Sequence, residues 1–339
     1  MKVAIGYHLR SGPWGGGNQF AHSLARALEN RGDTVRFDLS DPDLDLILLT
    51  DPRWRSASVS FGAGAIMRYL VWRNPRAMVI HRINECDERK GTRNMNRMLR
   101  WANYVADHTV FIASWLEHLD LWQRSSPRSI ILNGADPGIF RQEYNVPWDG
   151  RQPLKLVTHH WGGNRMKGFD VYARLDEMLV QPEWRGRIEF TYIGNLPAGY
   201  RFRNASYLPP LQGEVLAQEL SRHHAYITAS MNEPAGMHHI EGALSGLPIL
   251  YRRSGALPEY CRGFGIAFEN DDFLAALNTI LVSYPALKAA MPAYTHTSAR
   301  MCAGYVSLFD QMAVERECVL AARRLWRSPL SAMRNLLLM

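Results

Sequence analysis

Residues 232–248 read Asn-Glu-Pro-Ala-Gly-Met-His-His-Ile-Glu-Gly-Ala-Leu-Ser-Gly-Leu-Pro, the densest run of potential chemistry in the chain. Glu233 is expected in a loop. A helix is expected to start near Gly236, with Glu241 in its first turns and backbone N–H groups able to face a phosphate. Eight residues at ~1.5 Å each would separate the two carboxylates by roughly 10–12 Å, the span from sugar to ribose in one nucleotide-sugar. Each carboxylate could then accept hydroxyl hydrogen bonds at opposite ends of such a ligand. The same spacing also describes a helix cap followed by a surface glutamate.

Other polar residues carry weaker signals. Gly15, Gly16 and Gly17 permit a close approach of backbone to a ligand, or form a simple turn. His81 and Arg82 follow an apolar run directly, so both are expected at the carboxyl end of a strand as candidates for contacting an acceptor. The adjacent pairs His159-His160, His223-His224 and His238-His239 do not suggest a metal, because neighbouring side chains rarely converge on one ion. Asp41-Pro42-Asp43 contains an Asp-x-Asp but leads straight into an apolar strand.

The elements that would position these residues alternate. Strand-like runs at 3–5, 35–37, 46–49, 78–80, 109–112 and 130–132 are separated mostly by helix-length stretches, the first with Phe20, Leu24 and Leu28 at helical spacing before Gly32. The segment 144–153, with Pro147, Gly150 and Pro153, interrupts the pattern and reads as a linker. A second series follows, with strands at 154–157, 190–193, 225–228, 249–251 and 266–268. Two successive doubly wound α/β domains are therefore expected, 1–146 and 147–300, with ligands at the carboxyl ends of the strands and the natural site in a cleft between the domains.

Composition agrees with a folded chain. Its 339 residues include 47% hydrophobic and 21% charged, which excludes disorder, and 26 Gly and 18 Pro exclude a collagen-like chain. The four cysteines, Cys86, Cys261, Cys302 and Cys318, form no C-x-x-C pair and indicate neither a zinc site nor a disulfide framework. Lys plus Arg exceed Asp plus Glu by 39 to 32, a net +7 that favours anionic ligands or surfaces. Nucleic acid is not expected, since zinc-finger spacing and an aromatic RNP-type strand are both lacking. No apolar run reaches the roughly 18–20 residues of a membrane span, and the N-terminus does not read as a signal peptide, so a cytoplasmic protein is expected.

The chain resembles the retaining glycosyltransferases of family 4. Glu233, Pro234, Gly236, Glu241, Gly246 and Pro248 match that family's E-P-x-G-x-x-x-x-E-x-x-x-x-G-x-P pattern. Residues 15–33 are similar to its first glycine loop and helix, and Asn133-Gly134-Ala135-Asp136 with Phe140 to its N-G-x-D-x-x-x-F segment. Lys167-Gly168 is similar to its phosphate-binding loop. The resemblance implies a GT-B fold: two Rossmann-like domains facing across a cleft, with a C-terminal segment, 301–339, packing back on the first. It further implies that Glu241 binds the nucleotide ribose, Glu233 the donor sugar, and Lys167 the diphosphate. Gly16, Gly17 and Gly236 would lie against the donor.

The family pattern usually has an arginine five residues before the lysine, where this chain has Gly162. Arg165 is the candidate replacement. A metal is not expected, nor any cofactor, the nucleotide-diphosphate-sugar being a substrate. The implied reaction is retaining transfer to a hydroxyl of a glycan or lipid-linked glycan, as in bacterial surface polysaccharide biosynthesis. A non-catalytic nucleotide-sugar-binding subunit and a sugar-nucleotide epimerase are the alternatives.

The C-terminal residues 316–339 carry Arg316, Arg323, Arg324, Arg327 and Arg334 against Glu317 alone, interleaved with Val319, Leu320, Leu325, Trp326, Leu330, Met333, Leu336, Leu337 and Leu338. That pattern suits peripheral contact with an anionic membrane, and equally a helix buried on the first domain. Pro329 predicts a break, with 316–327 packed on the protein and 330–339 free to touch lipid.

Overall fold

The computed structural model describes every residue except Ser11, Pro13, Trp14, Trp54, Ser125 and Met339, and only the backbone of Leu338. The chain divides into two compact units. One holds residues 1–10, 16–132 and 299–338; the other holds residues 133–298, together with Gly12 and Gly15.

In the first unit the chain runs β1 (Lys2–Ile5), α1 (Gly16–Asn30), β2 (Thr34–Arg36), β3 (Leu46–Leu49), α2 (Ala63–Trp72), β4 (Met78–Ile83), α3 (Met95–Ala102), β5 (His108–Phe111) and β6 (Arg128–Ile130). These strands form one parallel sheet in the order β2-β1-β3-β4-β5-β6. The central strands β1 and β3 and the first half of β4 are mostly apolar, and the two-residue pleat sends alternate side chains to opposite faces. Val3, Ile5, Leu46, Leu48, Met78 and Ile80 enter a core with Phe20, Leu24 and Leu28 of α1. Ala4, Ile47, Leu49 and Val79 enter another with Ile66, Met67 and Leu70 of α2.

The second unit runs β7 (Leu154–His160), α4 (Phe169–Met178), β8 (Ile188–Gly194), β9 (Ser206–Leu208), α5 (Gly213–Ser221), β10 (Ala225–Thr228), α6 (His238–Leu244), β11 (Ile249–Arg252), α7 (Leu257–Cys261), β12 (Gly265–Phe268) and α8 (Phe273–Ala290). Its parallel sheet has the order β12-β11-β10-β7-β8-β9. Leu154, Leu156, Phe190, Tyr192, Ile227 and Leu250 pack against Phe169, Tyr172 and Leu175 of α4 and Phe273, Leu277 and Ile280 of α8. By length and composition α8 could cross a membrane, a feature that a search for unbroken apolar runs misses because Asn278, Ser283 and Lys288 interrupt it. One side of it lines this core.

Three helices then complete the first unit: α9 (Ser298–Val314), α10 (Arg316–Ala322) and α11 (Pro329–Leu338). Met301, Tyr305, Phe309 and Met312 of α9 join the core beside β1. Arg316 pairs with Asp45 at 2.6 Å, and Arg323 forms a buried pair with Asp107.

The division between units falls after Leu132, ahead of the linker expected at 144–153. Residues 133–146 are tied into the second unit. Asn133 N donates to Tyr260 Oη (2.7 Å), Ala135 bridges to Thr297, and Asn145 Nδ2 donates to the His223 carbonyl (2.6 Å). The segment of Pro147 and Gly150 is itself anchored by Trp148, whose ring packs edge-on against Tyr284. Turn-forming composition there marks an irregular path but not a hinge between cores.

Candidate functional site

The second sheet begins at its centre. From β7 the chain builds outward through β8 and β9, then returns to place β10 on the other side of β7. Connections leaving β7 and β10 diverge, which opens a crevice at the carboxyl ends of these two strands. Lys167 follows β7, and Glu233 follows β10.

Backbone constraints fix both loops. Lys167 ends a single 3₁₀ turn (Arg165–Lys167), and Gly168 behind it has φ +97°, where an added Cβ would collide with Ala229. Only glycine lets the loops lie backbone to backbone, and Met231 N donates to the Met166 carbonyl at 2.8 Å. In the Glu233 loop Asn232 has φ 49° and Ala235 φ 154°. A conformation so rare for alanine costs about 1–3 kcal/mol, a strain that persists only where surrounding contacts impose it. Those contacts include Asn232 N to Ser254 Oγ (2.8 Å), Ala256 N to the Glu233 carbonyl (2.8 Å) and Asn133 Nδ2 to the Ala235 carbonyl (2.8 Å).

Two buried polar pairs result. Lys167 Nζ donates to Glu233 Oε2 at 2.6 Å. His159 Nε2 lies 2.6 Å from Glu241 Oε2, while His159 Nδ1 lies 3.1 Å from Tyr226 Oη. Burial raises the Tyr226 phenol well above its ordinary pKa, so it keeps its proton. The bonds are satisfied together when Tyr226 Oη–H donates to Nδ1 and Nε2–H donates to the carboxylate. Glu241 is thereby held by one oxygen. Its Oε1 is buried without a hydrogen-bond partner among the described residues, an uncommon condition that calls for a donor from outside the chain.

The remaining histidines pack as uncharged rings. His160 Nε2 bonds Tyr172 Oη (2.8 Å), His238 Nε2 bonds Thr228 Oγ1 (3.0 Å), and the two ring centroids are 4.5 Å apart. Desolvation pushes His160 and His238 well below the ordinary histidine range and His239 to about 3. Gly236 is close-packed as well: a Cβ there would stand 2.6 Å from His238 Nδ1 and 3.1 Å from Glu233 Oε1. The helix α6 starts only at His238, so the helical rise covers Glu241 but not the loop residues from Glu233 to Met237.

The structure thus gathers Lys167, Glu233, Glu241 and Gly236 into one region of the second unit. Arg165 is exposed rather than joined to them, and its charge acts on Tyr200. Gly162 lies beside the lysine, its would-be Cβ 3.9 Å from Lys167 Cε. Sequence reasoning missed His159 as a partner of Glu241, although its place at the end of an apolar strand puts it at the carboxyl edge. It also missed Arg252, a buried guanidinium ending β11 that pairs with Asp170 in the first turn of α4.

In the first unit the expectation for His81 and Arg82 is corrected. The strand β4 continues to Ile83, so neither residue follows it. His81 pairs in register with Leu49 and Thr109, and its Nδ1 meets Asn103 Nδ2 at 3.1 Å. Burial lowers its pKa to about 3. The Arg82 guanidinium lies 3.8 Å over the Phe20 ring. Gly16 and Gly17 open α1, with Gly17 close to the Tyr7 ring. The polar groups after the strands are instead Asp51, paired with Arg53, and Glu85, which accepts from Arg89 (2.8 Å) and Lys90 (3.3 Å). Asp43 and Asp41 engage Lys2 at 2.6 and 3.4 Å, giving the Asp-x-Asp a structural use.

No protein-family model and no curated protein sequence matches the chain. Solved structures do. Sucrose-phosphate synthase from Thermosynechococcus elongatus aligns with a TM-score of 0.64 at 14% identity, covering 92% of this chain and 99% of that one. Anabaena HepE in complex with UDP-glucose aligns at 0.66 and 12%, covering 92% and 100%. The catalytic domain of starch synthase IV from Arabidopsis thaliana, bound to ADP and acarbose, aligns at 0.65 and 11%, covering 91% and 98%. With two parallel six-stranded sheets and flanking helices matched over nearly its full length, this chain has the GT-B fold of glycosyltransferases.

Proposed function

We propose that the protein is a retaining glycosyltransferase of the family 4 type, moving a sugar from a nucleotide-diphosphate-sugar to a hydroxyl acceptor, a glycan or lipid-linked glycan. The observation that carries this reading is Glu241: a buried carboxylate with one oxygen fixed by His159 and the other unpartnered, beside the Lys167–Glu233 pair at the switch of the second sheet. HepE is solved with UDP-glucose and with UDP, and starch synthase IV with ADP, which fits a nucleoside diphosphate here.

In this reading Glu241 Oε1 accepts from the ribose hydroxyls. Glu233 accepts from hydroxyls of the donor sugar, and through Oε2 it holds Lys167 Nζ in position. As the bond from the anomeric carbon to the phosphate oxygen breaks, its electron pair leaves with the diphosphate, and the Lys167 ammonium stabilises the added charge. The acceptor oxygen bonds the anomeric carbon on the same face, and its proton passes to the departing phosphate oxygen. Asn133, Gly168 and Gly236 hold the loops at the spacing these contacts need. No metal or cofactor enters this scheme.

A second reading, a nucleotide-sugar-binding subunit without activity of its own, is favoured by Gly162, which stands where the family pattern has an arginine. An epimerase would release a new nucleotide-sugar with no acceptor present. Calorimetry with nucleoside diphosphates, followed by product analysis with labelled donor, distinguishes these. Glu241→Gln is expected to weaken diphosphate binding by about 1.5–3 kcal/mol, roughly 10- to 150-fold, with the fold intact. Unchanged affinity overturns the ribose assignment, and binding without turnover favours the subunit.

A further inference from the structure

The helix α11 has two unlike faces. On the inner face Ala332 is buried in the core with Ile66, Met67 and Leu70, Leu336 packs against that core, and Asn335 is buried with its Nδ2 on the Trp101 carbonyl (3.2 Å). Arg68 of α2 donates to the Leu336 carbonyl at 2.7 Å, and the Arg334 guanidinium lies 4.1 Å over the Trp101 ring. The segment after Pro329 is therefore docked on the first unit, contrary to the expectation that it hangs free; Met339 lies outside the described residues.

The outer face presents Leu330, Met333 and Leu337, at helical positions i, i+3 and i+7, which are 80%, 55% and 72% exposed. Two more large apolar side chains are exposed on flanking segments. Trp326, just ahead of the helix, is 59% exposed, and Trp72, at the end of the adjoining α2, is 69% exposed. A single exposed leucine is ordinary, but three apolar side chains on one helix face, with exposed tryptophans on the flanking segments, imply a cover.

Charge indicates which cover. Arg68, Arg73, Arg324 and Arg327 are exposed on the same elements, and Arg334 is partly so. Residues 318–339, α2 and α3 contain no Asp or Glu. Among the acidic groups around these elements, Glu317 pairs with Arg76, Asp107 with Arg323, and Asp120 with Arg100 at 2.7 Å, while Asp38 accepts from Ser40, whose carbonyl takes Arg73. A second copy of the same face would set cations against cations. An anionic bilayer supplies the complement in one partner, with an apolar boundary for leucine and methionine, an interface suited to tryptophan, and phosphates for arginine.

We propose that the outer face of α11, with Trp326 and Trp72, seats the first unit in the headgroup layer of an anionic membrane. This surface does not depend on the sugar-transfer reading, because none of its residues belongs to the second unit. The test is flotation of the full chain with vesicles of phosphatidylcholine alone and with added phosphatidylglycerol. The chain floats only with the latter, and the triple variant Leu330→Ser/Met333→Ser/Leu337→Ser, which leaves Ala332, Asn335 and Leu336 in place, partitions at least about tenfold less. Arg324→Gln, a milder change, lowers partitioning roughly fivefold. Thermal melting establishes that each variant is folded. Failure of the wild type to float, or equal flotation of wild type and variants, overturns the proposal. So does a wild-type dimer that the triple variant converts to monomer in light scattering, since that makes the face a contact between copies.

Discussion

The carboxyl ends of the two parallel sheets solve the same topological problem with different chemistry. In the first unit buried carboxylates after the strands are neutralised by cations that reach into water, Asp51 by Arg53 and Glu85 by Arg89 and Lys90. In the second unit both partners are withdrawn from water. Lys167 and Glu233 pair in a buried position, His159 holds Glu241, and Glu241 Oε1 has no donor among the described residues. A rim with solvated cations tolerates many partners because water can replace any contact they lose. A buried, incompletely satisfied set is selective, since each unfilled position costs desolvation energy until a matching group arrives. In the proposed reading the tightly specified ligand, the donor, belongs to the second unit.

Removing the central cation should break that contrast most severely. Lys167→Ala is expected to lower transfer by roughly two to three orders of magnitude, as for loss of one preorganised charge-stabilising donor. It also strands the buried Glu233 carboxylate, for which a stability loss of about 3–5 kcal/mol is expected. Lys167→Met/Glu233→Leu, which removes both charges, should recover most of that stability while remaining inactive. Denaturant unfolding and transfer assays on both variants separate the roles. If the double variant regains transfer, Lys167 and Glu233 serve only the fold.

Acid should sharpen the difference between the units. In the second unit burial lowers His160 and His238 far below 6.5, His239 to about 3, His224 to about 4, and His223 as well. The first unit has His81 at about 3 and His108 at about 4. An unfolded histidine takes up a proton below about pH 6.5, and these native rings do not. Their contribution is therefore complete above about pH 6.5 and declines as pH falls toward the native values, by up to about 1.4 kcal/mol per histidine per pH unit. Hydrogen exchange followed from pH 7 to pH 5 should show the second unit opening first. Simultaneous opening of both units would remove the histidine cluster as the cause.

Much of this contrast was legible in the sequence, and the parts that were not have a common origin. Apolar strands alternating with helices give the parallel sheets, and the Glu233–Pro248 spacing marks the loop and helix between β10 and β11 because both depend on neighbours along the chain. His81 misled because an apolar run of three residues ended at Ile80, whereas the strand continues through His81 and Arg82, their polar ends absorbed by Asn103 and by the Phe20 ring. Those partners are distant in sequence. The partnership of His159 with Glu241 spans 82 residues and two strands, so only the sheet order reveals it. Trp148 hid in the same way, a partly buried anchor inside a segment whose Pro and Gly suggested a linker.

The smallest expected effect concerns the position where this chain departs from the family pattern. Gly162 borders Lys167, and a Cβ there would meet Asn164 Nδ2 at 3.5 Å and Lys167 Cε at 3.9 Å, both ordinary contacts. A side chain can therefore be introduced without moving the loop. Gly162→Arg places a guanidinium beside the diphosphate position, where a half-solvated ion pair is worth up to about 1 kcal/mol, so nucleoside diphosphate binding should tighten roughly fivefold. Arg165, exposed, has less to give: Arg165→Ala should change the same affinity less than about twofold, the scale of a solvated surface charge. Calorimetry in low and moderate salt reads both. A tenfold loss in Arg165→Ala would show that the arginine turns inward when ligand binds, and would give the phosphate loop of the second unit the adaptability that the comparison reserves for the rim of the first.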